Sequence, residues 1–155
     1  METRKVPDLG EDPLKLDKQV CFALAVAART VIAVYRPLLE PLGLTHPQYL
    51  VMLALWERSP RSVKELTDDI ALDSATLSPL LKRLEAAGYV TRTRNPEDER
   101  TLSLELTSTG QALREQALAV PYAVVDQLGI DVDELMDLHG RLLRLIHAAQ
   151  AAVGS

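Results

Sequence analysis

The hydrophobic period of this chain changes at Gly88, and that change limits the available folds. Before it, apolar residues recur at helical spacing in short capped segments. After it, Tyr89-Val90-Thr91-Arg92-Thr93-Arg94 and Leu102-Ser103-Leu104-Glu105-Leu106-Thr107 alternate with period two. The intervening Asn95-Pro96-Glu97-Asp98-Glu99-Arg100 is polar and turn-forming, so the two runs read as a β-hairpin. Helical pattern resumes afterwards, which leaves one hairpin inserted in a helical chain.

The segments before the hairpin are short and well punctuated. Ser62-Val63-Lys64-Glu65 reads as a capping box in which Ser62 caps and Glu65 reaches back. It opens a short helix ending near Leu72. Asp73 or Ser74 caps the next, which runs to Gly88, a suitable C′ glycine, with an irregular first turn expected at Pro79. Two short helices, a tight connection and a hairpin make a winged helix-turn-helix, whose second helix enters the major groove. Upstream, a loose arm over 1–13 should lead into a long helix from about Leu14 to Leu42, bent or ended by Pro37 and Pro41. Pro47 then suits the first turn of a helix stopping near Pro60. Downstream, one helix is expected from Ser108 to Gln127, bent at Pro121, and another from Val132 to Val153 capped by Asp131. The expected fold is a single mainly α domain with a small β-hairpin. A winged helix-turn-helix lobe (45–107) sits between long N- and C-terminal helices (14–44 and 108–153) that form a dimerisation region.

Composition supports this. The 155 residues fit one domain, and 47% are hydrophobic while only 4% are aromatic, so the core must be Leu, Val, Ala and Ile, which favours helices. The first helix is apolar nearly all round, and so small a chain cannot bury both faces; a partner subunit would. No run of about 18 residues is both apolar and uncharged, so no membrane span is expected. The N-terminus has no apolar signal core, which points to the cytoplasm. Net charge is −5, yet residues 74–94 hold four cations against Glu85, a local +3. DNA binding depends on such local fields.

Several segments carry a resemblance. Asp98-Glu99-Arg100 before the alternating 102–107 run looks like the D-x-R wing signature of the MarR family of bacterial regulators. Ser74-Ala75-Thr76-Leu77-Ser78-Pro79-Leu80-Leu81-Lys82-Arg83-Leu84-Glu85 resembles their recognition helix. Cys21-Phe22-Ala23-Leu24, Tyr35-Arg36-Pro37-Leu38-Leu39 and Leu44-Thr45-His46-Pro47-Gln48-Tyr49-Leu50 resemble the organic-hydroperoxide-resistance (OhrR) branch, one-cysteine type. The resemblance implies a homodimeric repressor, not an enzyme, that needs no cofactor or metal. It would bind a palindromic operator and leave when an organic hydroperoxide oxidises the cysteine. It also implies two tyrosines of the opposite subunit supporting the thiolate. One matches Tyr35; the other falls at position 46, where this chain has His46.

On this footing Ser74, Ala75, Thr76 and Ser78 are candidates to approach base edges. Arg83 and Arg92 would contact phosphate or brace the wing. Arg94 and Arg100 flank the hairpin tip and could enter a narrow minor groove. Asp73 and Asp98 would orient these arginines. His139 and His147 read as ordinary surface residues, with no metal site.

Cys21 is the only cysteine, so it cannot form a disulfide within one chain. It is either a small packed hydrophobe or a reactive thiol. Cys21 and Tyr35 lie within about 40° of one helix face but about 21 Å apart along the axis. They can meet only between two chains whose first helices run antiparallel about a two-fold axis. A sulfenic acid formed at Cys21 would need an external partner, a small thiol or further peroxide. Three other readings stay open: a MarR-type repressor released by a small aromatic or phenolic ligand, a thiol peroxidase, and a plain helical interaction protein.

Overall fold

The computed structural model describes the backbone of residues 7–95 and 98–154 and the side chains of 7–94 and 101–154. Among the described residues, seven α-helices and three strands follow in order: α1 (Val20–Leu39), α2 (His46–Glu57), β1 (Arg61–Ser62), α3 (Val63–Ile70), α4 (Ser74–Ala86), β2 (Val90–Asn95), β3 (Asp98–Leu106), α5 (Ser108–Ala117), α6 (Ala119–Leu128) and α7 (Val132–Gly154). This is the expected class, mainly helical with a small antiparallel sheet.

Several boundaries differ from expectation for identifiable reasons. Helix α1 starts at Val20, not Leu14. Gln19 is extended (φ −81°, ψ 116°), and its side-chain amide donates back to the carbonyls of Pro13 (2.8 Å) and Lys15 (3.0 Å). Pro37 sits inside α1. A 3-10 turn over Glu40–Leu42 carries Pro41 near its start and ends on Gly43 at φ 69°. The capping box expected at Ser62 is half formed. Ser62 Oγ accepts the Glu65 amide (3.1 Å), but the Glu65 carboxylate instead takes Arg58 Nη2 at 2.6 Å. The complete box is at α2, where Thr45 and Gln48 cap each other's amides. Helix α4 runs unbroken through Pro79, an exposed position where the lost bond is to the Ala75 carbonyl on the solvent side. The expected helix 108–127 is two. Pro121 offers no N–H to the Ala117 carbonyl and its ring crowds it, so α5 and α6 separate at Leu118.

The hairpin gains a third strand. The order is β1-β3-β2, with Arg61 opposite Leu104 and Val90 opposite Leu106. A two-residue strand carries too little alternation to be read from sequence. Arg61 is buried at 7% exposure, and its guanidinium is fully engaged: Asp69 and Glu57 (3.8 Å) pair with it, and its Nε donates to the Arg58 carbonyl (3.0 Å). A buried charge survives only when paired in this way. Around it lies one core of Leu39, Val51, Met52, Leu55, Leu66, Leu77, Leu84, Val90 and Leu104.

The hairpin is tied to the helices through Tyr89. Its carbonyl accepts the Thr107 amide (3.0 Å) and its hydroxyl donates to the Leu42 carbonyl (2.9 Å). Thr107 Oγ1 donates to the Gly88 carbonyl (2.5 Å) and accepts the Gly110 amide (3.0 Å); Trp56 Nε1 donates to the Gly110 carbonyl (2.9 Å).

The terminal helices contrast with this centre. Only Leu39 of α1 is buried, and no residue of α7 is. Val20, Phe22, Val26 and Ile32 on α1, and Met136, Leu138, Leu143 and Ile146 on α7, are exposed hydrophobics. By length and mean hydropathy (1.5), the segment Val20–Leu42 could cross a membrane. It nonetheless carries Arg29, Arg36 and Glu40.

A β-carbon on residue 110 would lie 2.1 Å from the Tyr89 carbonyl oxygen. Gly110→Ala should therefore force α5 off the hairpin. The expected loss is about 1–3 kcal/mol or more, as for overpacking, read from the urea midpoint. An unchanged midpoint would contradict the close approach.

Candidate functional site

The candidate residues fall into two groups, and the fold places them apart. The first is α4 with the hairpin. Leu77, Leu81 and Leu84 bury one face of α4 in the core, which leaves Ser74, Ala75, Thr76, Ser78 and Arg83 exposed. Asp73 Oδ1 accepts the Thr76 amide at 2.7 Å, and this hydrogen bond holds its carboxyl below the usual range. It caps α4, and among the described residues no arginine pairs with it. Arg92 is the bracing residue: its Nε meets Glu85 Oε2 at 2.5 Å and fixes β2 to α4. Arg94 is exposed opposite Leu102. The side chains of Arg100 and Asp98 lie outside the described residues.

The second group lies along α1. Cys21, one residue into the helix, is exposed. Tyr35 and His46 come together at the opposite end, with ring centroids 5.1 Å apart at 68°, an edge-on contact. Both residues singled out around the thiol thus share one cluster, and it is not next to Cys21 of the same chain. Tyr35 is fourteen residues from it along one continuous helix, about 21 Å.

Tyr49 completes the cluster and was not among the sequence candidates. Its ring lies 5.9 Å from Tyr35 and 6.4 Å from His46. The available signal was spacing: Tyr49 follows His46 by three residues at the start of α2, which puts them on one face. The Thr45–Gln48 box sets the start of that helix and so the direction of the His46 ring. Burial alone lowers the His46 pKa below 6.5. This shift favours the neutral imidazole, which offers one N–H and one acceptor nitrogen. Burial first, and the neighbouring Tyr35 second, raise the Tyr49 phenol, which stays protonated.

Comparison with known proteins shows the family. The MarR family matches residues 44–102, which span α2 to β3. The HTH-type transcriptional regulator TtmR of Methylorubrum extorquens is 44% identical over 94% of this chain and 74% of its own length. The organic hydroperoxide resistance transcriptional regulator of Bacillus subtilis is 40% identical over 88% of this chain and 95% of its own. Among solved structures, reduced AbfR bound to DNA is 34% identical, with a TM-score of 0.73 over 88% of this chain and 96% of that one.

His46 also gives the fold a pH dependence. Its folded pKa lies below its unfolded value, so between the two the unfolded chain binds more protons and stability rises with pH. The contribution is complete above 6.5 and is lost as pH falls through the folded value. Urea unfolding between about pH 7 and 5 should therefore show a shallower slope in His46→Gln than in the wild type. Equal slopes would mean that the ring is as well hydrated folded as unfolded.

Proposed function

The chain belongs to the MarR family of transcriptional regulators, and on that footing we propose that it is a homodimeric repressor which senses organic hydroperoxides through Cys21 and releases its operator. One observation carries the proposal. Tyr35 and His46 meet at one end of α1 while the thiol sits at the other, about 21 Å away along the same helix. Two copies with antiparallel α1 helices bring each Cys21 to Tyr35 and His46 of the partner subunit, twice per dimer. The exposed hydrophobics of α1 and α7 supply the interface for that arrangement. This use accounts for the apolarity of α1 without a membrane. Residues 14–44 and 108–153 then serve dimerisation, and 45–107 form the DNA-binding lobe.

The chemistry follows from a thiolate held in that site. Hydrogen bonds from the Tyr35 hydroxyl and from the neutral His46 N–H favour the charged sulfur. The thiolate attacks one oxygen of the peroxide; the S–O bond forms, the O–O bond breaks, and the alkoxide leaves to take a proton as the alcohol. Cysteine is oxidised to sulfenic acid and the peroxide is reduced. With one cysteine per chain, a small thiol can then condense with the sulfenic acid, losing water and leaving a mixed disulfide. A bulkier, more polar group now sits between packed helices. The two α4 helices, which must reach successive major grooves about 34 Å apart, lose their spacing. Ser74, Ala75, Thr76 and Ser78 would read bases, Arg83 would touch phosphate, and Arg94 and Arg100 would enter the minor groove. The site of action is the cytoplasm.

A groove beside the cluster, lined by Ile32, Arg36, Leu44, His46 and Pro47, gives the ligand-released alternative a place to act. One experiment separates the two. Operator affinity is measured by fluorescence anisotropy before and after cumene hydroperoxide and a small thiol, in the wild type and Cys21→Ser. The wild type should release DNA and the variant should hold it. Equal release by both would sink the redox trigger. Tyr35→Phe should leave reduced-state affinity intact and slow operator release by the hydroperoxide, because one hydrogen-bond donor to the sulfur is lost. Stopped-flow anisotropy reads that rate.

A further inference from the structure

Helix α3 sorts its side chains onto three faces. Val63, Leu66 and Ile70 pack on the core. Glu65 and Asp69, one turn apart, are held by Arg58 and Arg61. The third face carries Lys64 and Thr67, which line a groove whose other walls include Ser74 at the start of α4 and Thr101 on β3. By formal charge α3 is acidic, with Glu65, Asp68 and Asp69 against Lys64. The ion pairs change what it presents, because two of the three carboxylates are already neutralised on the far side. Lys64 is exposed and, among the described residues, forms no ion pair; nor does Asp68, the remaining carboxylate.

We propose that this groove seats one backbone phosphate of the operator, with Lys64 as its cation and the Ser74 hydroxyl as a neutral donor. This rests on the DNA-binding reading above. An ammonium without a partner beside hydroxyl groups is the chemistry that takes a phosphate oxygen. Position agrees with chemistry. The groove adjoins Ser74, the first residue of the helix assigned to the major groove, and the first helix of such a pair crosses the sugar-phosphate backbone. The Arg58–Glu65 and Arg61–Asp69 pairs therefore also keep carboxylates from facing the DNA.

The test uses a duplex that the wild-type protein selects from a random pool. Binding is measured across a salt series for the wild type, Lys64→Gln and Lys64→Arg, with thermal unfolding as a check on folding. Lys64→Gln should weaken binding and lower the magnitude of the log–log salt slope by about 1.8, one phosphate contact in each of the two subunits. The ratio of selected to scrambled duplex should not move, since a phosphate contact carries no sequence information. Lys64→Arg should keep the wild-type slope. A Lys64→Gln slope equal to the wild type overturns the phosphate site alone. A wild type that selects no duplex overturns the DNA-binding reading and this site with it.

Discussion

The carbonyl oxygen of Tyr89 occupies the place that a side chain on residue 110 would need, and most of the tertiary structure is arranged around that approach. Tyr89 is where α4 has ended and the hairpin begins. Its hydroxyl reaches the Leu42 carbonyl in the 3-10 turn after α1, its carbonyl takes the Thr107 amide, and the Gly110 carbonyl in turn receives the Trp56 indole N–H. Four segments distant in sequence thereby share one small region. Each hydrogen bond contributes modestly, about 1 kcal/mol. The consequence is geometric: the wing has a fixed attitude relative to α2, α5 and the junction of α1 with α2.

That junction holds the aromatic cluster, so the DNA-binding lobe and the proposed sensor are physically continuous. Gly43 turns the chain, Thr45 and Gln48 fix the start of α2, and His46 and Tyr49 project onto Tyr35. A change at this cluster bears directly on α2, whose other residues, Val51, Met52 and Leu55, pack in the core with Leu77 and Leu84 of α4. In such a packed interior a displacement is transmitted rather than absorbed. The wing is coupled to α4 separately, through Arg92 and Glu85.

Legibility in the sequence followed the strength of local signals. The period change at Gly88, the helix cap at Asp73 and the αL position at Gly88 are local, and the fold class and hairpin could be read from them. Where a side chain had two possible partners, local reading chose wrongly. Glu65 fits a capping box, but Arg58, seven residues upstream, offers it a full charge. The Pro121 break and the Pro79 continuity illustrate the same limit. One proline divides a helix and the other does not, and the difference lies in what surrounds each turn. Strand β1 is two residues long and exists only because β3 provides a ladder for it.

The sequence by itself determined the winged helix-turn-helix order, the solitary thiol, and the impossibility of Cys21 meeting Tyr35 in one chain, because helix rise and hydrophobic period are local properties. Tertiary structure decided which groups stand together. It put Tyr49 beside Tyr35 and His46, and burial there lowers the His46 pKa and favours the neutral ring. It also paired the α3 carboxylates Glu65 and Asp69, which would otherwise give α3 an acidic face, with Arg58 and the buried Arg61. Charge state and electrostatic face depend on desolvation and on partners far away in the chain, and neither is encoded at a single position.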